Sequence, residues 1–115
     1  MNTPNIVTEM KVKILAVNLI NKLQEILAQI HSTYDILLHA DSFGTVNKCN
    51  KQFKNLVNIA VYYMIVADKL ATKYQGYLVN VYNIDNSDRS WEDSTLYSLL
   101  TAKVKEISET LNKIQ

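Results

Sequence analysis

His31, Asp35 and His39 stand four residues apart, so a helix places all three on one face across two turns. Imidazole and carboxylate at that spacing suit zinc or iron, and two adjacent members could hold one ion. Residues eight apart lie about 12 Å apart along a helix axis, too far to share an ion easily. A second helix would have to complete the site, as in bundle metal proteins whose other helices turn Glu or His inward. This sequence has no further histidine and no Glu-x-x-His pair. The expectation is therefore a solvated flank with local i, i+4 polar pairs, and no metal or other cofactor; a metal-binding bundle is the alternative that a chelator assay would separate.

Cys49 is the single cysteine and is the other residue that could do covalent chemistry. Both histidines precede it on a different predicted helix, and only Lys48, Lys51 and Lys54 stand near it in sequence to favour a thiolate. An inert small residue near a helix start is expected. There is no Gly-rich phosphate loop, no Gly-x-Ser-x-Gly elbow and no Cys-x-x-Cys pair. The reading is of a protein that is not an enzyme, with no catalytic residues and no small-molecule substrate in view.

The same lysines, with Lys11, Lys13 and Lys22, could meet phosphates, and the seven tyrosines could stack on bases. Net charge argues against it. At +1 the chain has no basic excess, and lysines recurring every three residues mark the wet face of a helix, so nucleic acid is not the expected partner. One cysteine cannot close an internal disulfide, and the N-terminus lacks a basic, apolar and small-residue signal pattern, which sets a reducing cytoplasm as the default location. The most apolar run, Ile59 to Ala67, is far shorter than the roughly 20 residues of a membrane span.

These residues need elements to hold them, and the composition favours helices. With 115 residues the chain fits one domain, 1–115, and 48% apolar against 20% charged residues is globular. Two glycines and one proline leave little material for the turns of a many-stranded protein. The first helix is expected from about Thr8 to Ala40. In it Val12, Ala16, Leu19, Leu23, Ile26 and Ile30 alternate four and three apart, the seam of a helix packed at a shallow angle. A second row, Ile20, Leu27, Tyr34 and Leu38, widens the apolar face.

Asp41 to Gly44 break the pattern, with Gly44 suited to closing the first helix. The second helix is expected from about Asn47 to Gln75 or Gly76, carrying Phe53, Leu56, Val57, Ala60, Met64, Ala67, Leu70, Ala71 and Tyr74 on one side. For Tyr77 to Ile84, strand and helix compete, and continued helix is the reading adopted. Asp85 to Ser90 reads as a loop, with Ser90 and Asp93 forming a capping-box pattern. The third helix then runs from Trp91 to about Lys113, with Leu100, Val104, Ile107, Leu111 and Ile114 as its seam. Together these give an all-α fold, an antiparallel up-down-up three-helix bundle of long helices.

Two stretches carry more apolar surface than such a bundle uses. Ile14 to Val17 and Ile59 to Ala67 are apolar around nearly the whole circumference of their helices. The segment from Tyr77 to Ile84 could cover the excess within the chain; otherwise a partner completes a larger bundle. The reading adopted is a helical adaptor or subunit that packs on a protein partner or on another copy, using Leu15, Ile59, Tyr62, Tyr63, Ile65 and Val66. The runner-up is a monomeric inhibitor or immunity-type regulator with a preformed, tyrosine-rich surface.

Overall fold

The two long N-terminal stretches lack any interior helix breaker beyond Gly44, and both form uninterrupted helices. The computed structural model describes residues 6–79 and 95–114. Among them α1 spans Ile6–Leu38, α2 Phe43–Lys73, the one-turn α3 Gln75–Leu78, and α4 Leu96–Ile114. The three long helices pack on one another, and no strand occurs among the described residues. At 33 residues α1 is about 50 Å long, which sets the elongated 62 × 32 × 19 Å outline. The radius of gyration of 17.7 Å exceeds the roughly 13 Å of a compact domain of this length.

The seam predicted on α1 is the core. Val12, Ala16, Leu19, Leu23, Ile26 and Ile30 are all buried, joined by Leu27 and, one turn further on, Thr33. Opposite them lie Leu56, Ala60, Ala67 and Ala71 of α2 and Leu100, Ile107 and Leu111 of α4. Burial of each large aliphatic side chain contributes about 1.5–3 kcal/mol against its exposed state. The alanines of α2 let the backbones approach where a larger side chain would hold them apart. At the edge, Lys103 Nζ of α4 donates to Gln24 Oε1 of α1 and, at 3.1 Å, to Glu106 Oε1.

Several boundaries differ from those read off the sequence. α1 ends at Leu38 rather than Ala40, and the N–H groups of His39 and Ala40 close a tight turn on the carbonyls of Ile36 and Leu37 at 3.2 Å. Gly44 does not close α1. It lies in the first turn of α2, because Ser42 caps that helix with extended backbone, its Oγ accepting from Thr45 N at 3.2 Å. The helix therefore begins four residues before Asn47.

Tyr74 interrupts the expected continuation through Gly76. With φ −119° and ψ 29° it leaves helical geometry, while its N–H still donates to Leu70 O. The chain restarts as α3, which carries Leu78 into the core and lays the Tyr77 ring against Tyr74, centroids 6.0 Å apart. The remainder of the 77–84 reading beyond Val79, the 85–90 loop and the Ser90–Asp93 cap lie outside the described residues. α4 spans Leu96–Ile114, and Thr95 Oγ1 accepts from Ser98 N at 3.1 Å in the manner of an N-cap; the expected start at Trp91 lies outside the described residues.

Candidate functional site

Ile59, Val61, Tyr62 and Ile65 sit mid-helix in α2 on the side turned away from Leu56, Ala60 and Ala67, and all four are exposed. The period of 3.6 residues dictates this division, since positions 60 and 67 share one face while 62 and 65 fall across the helix from them. Tyr62 is 61% and Ile65 51% accessible, high values for residues of their size in the middle of a packed helix.

The structure separates the six residues expected at a partner surface into two groups. Leu15, Ile59, Tyr62 and Ile65 are exposed, whereas Tyr63 and Val66 are half-buried and pack against the core. Tyr63 links the groups. Its ring meets Tyr62 edge to face at 5.2 Å, and Lys22 Nζ of α1 stands 5.7 Å from its centroid. Lys22, Asn58, Ile59, Tyr62 and Tyr63 line a shallow cleft of about 400 Å³ between α1 and α2. Leu15 lies seven residues before Lys22, hence two turns along the same side of α1.

Compared with protein-family models, with curated proteins and with solved structures, the chain shows no match. The site therefore rests on its own geometry.

The remaining sequence candidates are placed as follows. His31, Asp35 and His39 are exposed, with His39 Nδ1 2.9 Å from the Asp35 carbonyl oxygen and 3.8 Å from its carboxylate. Among the described residues no three His, Cys, Asp or Glu side chains are grouped to hold an ion. Cys49 is a free thiol, 4% accessible, on the inner side of α2. Among the described residues no helix is long and apolar enough to cross a membrane.

Two features escaped the sequence reading. A second cleft, about 320 Å³, opens at the far end of the bundle between Tyr34, Phe53, Val57, Leu111 and Ile114. Tyr34 and Phe53 meet there edge to face at 6.4 Å, a pairing between two helices that no spacing along one helix could reveal. The other is that Val7 and Met10 extend the excess apolar stretch at Ile14 and Val17 into one outward row on α1, all four exposed. Its three-four-three spacing was legible beside Val12 and Ala16 but is masked by the stronger inner seam.

Proposed function

We propose that this chain is a non-enzymatic protein-binding module, a small adaptor or subunit that packs an apolar helix face on a partner. The observation that carries the reading is the exposure of Ile59, Val61, Tyr62 and Ile65 in the middle of a 31-residue helix whose opposite side is core. The part of the Tyr77–Ile84 segment described, through Val79, packs Tyr77 and Leu78 on the core and leaves that patch uncovered.

A comparison of two tagged forms in native cells tests the reading: the wild-type chain and the Tyr62→Asp, Ile65→Asp double variant, each also sized by light scattering. Both should melt alike, and a protein retained by the wild type, or its self-association, should be lost in the variant. A monomer that retains the same proteins in both forms overturns it.

A further inference from the structure

The exposed apolar patch of α2 does not stand alone on its face. At 100° per residue, Lys48, Lys51 and Lys54 before it and Lys69 and Lys73 after it fall on the same outward side as Tyr62 and Ile65. All five lysines are exposed, and none is in an ion pair among the described residues. Lys73 alone has a described partner, the Tyr74 ring, 5.3 Å from its Nζ. Against these five charges α2 carries one acid, Asp68, a helix of net +4 in a chain of net +1. The near-neutral total therefore conceals a segregated charge.

We propose that this face of α2 takes an acidic amphipathic helix from a different protein, with apolar side chains at its centre on Ile59, Tyr62 and Ile65 and carboxylates at both ends on the lysines. The inference rests on the protein-binding reading above and names the chemistry of its partner. Lys51 and Lys69 lie 18 residues apart, about 27 Å along the axis, so a helix aligned with α2 needs acidic clusters about that far apart. The shallow cleft beside Lys22, Ile59, Tyr62 and Tyr63 gives it a seat.

Charge decides against one other occupant, and the apolar patch against two more. A second copy docked through the same face would bring five lysines against five, with one aspartate on each side to offset them. A nucleic-acid backbone would satisfy the lysines but would press charged phosphate against the aliphatic and tyrosine patch between them. A lipid surface needs a long continuous apolar face, and here the apolar patch is about two turns long, with Asn55 and Asn58 on the same side just before it.

The test uses the full chain, isotope-labelled, titrated with a synthetic 26-residue helical peptide that has Leu and Phe centrally and Glu at both ends. Controls are its Glu→Lys counterpart, vesicles of zwitterionic and anionic phospholipid, and a 20-nucleotide single strand. The acidic peptide should perturb residues 48–73 and bind at least about tenfold more weakly to Lys51→Glu, Lys69→Glu, to Tyr62→Ala, and to the wild type in high salt. These substitutions are at exposed positions, and unchanged melting verifies the fold. Absence of binding, equal affinity for the Lys-ended peptide, or tighter binding of vesicles or oligonucleotide through the same residues overturns the proposal. If the lysine variants keep the partner retained from native cells while Tyr62→Asp, Ile65→Asp loses it, only the acidic-partner inference fails. If neither set matters, the protein-binding reading fails as well.

Discussion

Leu23 of α1 and Ile65 of α2 are aliphatic side chains of similar size near the middle of long helices, yet the first is 0% and the second 51% accessible. Leu23 sits on a row that both neighbouring helices cover; Ile65 sits on a row that no other described helix reaches. The contrast separates two placements of one residue type, since the inner row is tied to folding and the outer row is not. Hydrophobicity alone does not distinguish them, and rotational position does.

The sharpest way to break this comparison is to truncate both sides. Leu23→Ala should cost about 2–5 kcal/mol in urea unfolding, from lost transfer energy and the cavity left behind, whereas Ile65→Ala should stay within about 0.5 kcal/mol. Equal costs at the two positions would mean that the outer face is covered in the free protein. Next in size is overpacking: Ala60→Leu should lose about 1–3 kcal/mol, because Ala60 has no accessible surface where α2 meets its neighbours. The same enlargement at exposed Val61 should change the midpoint little.

Removal of an end constraint gives an intermediate effect on both α2 faces at once. Ser42→Ala should destabilise by about 1 kcal/mol through loss of the N-cap bond to Thr45 N, with partner affinity unchanged once the chain is folded. Smallest on stability and largest on binding is Tyr62→Asp. Its melting should match the wild type within the scatter of surface substitutions, about 0.5 kcal/mol, while retention of a partner falls.

Much of the fold was readable because helical packing writes itself into local periodicity. Every residue of the α1 seam from Val12 to Ile30 is buried, and Leu100, Ile107 and Leu111 of α4 follow suit. What the spacing could not convey was competition among local caps. Ser42 and Asn47 both precede helical sequence, and the hydrogen bond that decides between them depends on an extended backbone at Ser42. The end of α2 was expected near Gln75 or Gly76 and falls at Tyr74; the one-turn restart that brings Leu78 into the core was not legible, since that burial exists only once other helices are in place. For the candidate surface, excess apolar content was legible around Ile59 to Ala67. Which of those residues turn inward was less so: Tyr63 and Val66 are partly buried against the core, which depends on how the neighbouring helices sit and not on spacing along α2.

The sheltered thiol of Cys49 gives this protein a clock of its own. At 4% accessibility on the inner side of α2, it meets a thiol reagent only when the packing around it opens. Its labelling rate therefore counts the openings, local or global, that expose the sulfur. A partner that grips the outer face of α2 would slow that rate without touching the sulfur, so one native atom reports on both sides of the helix.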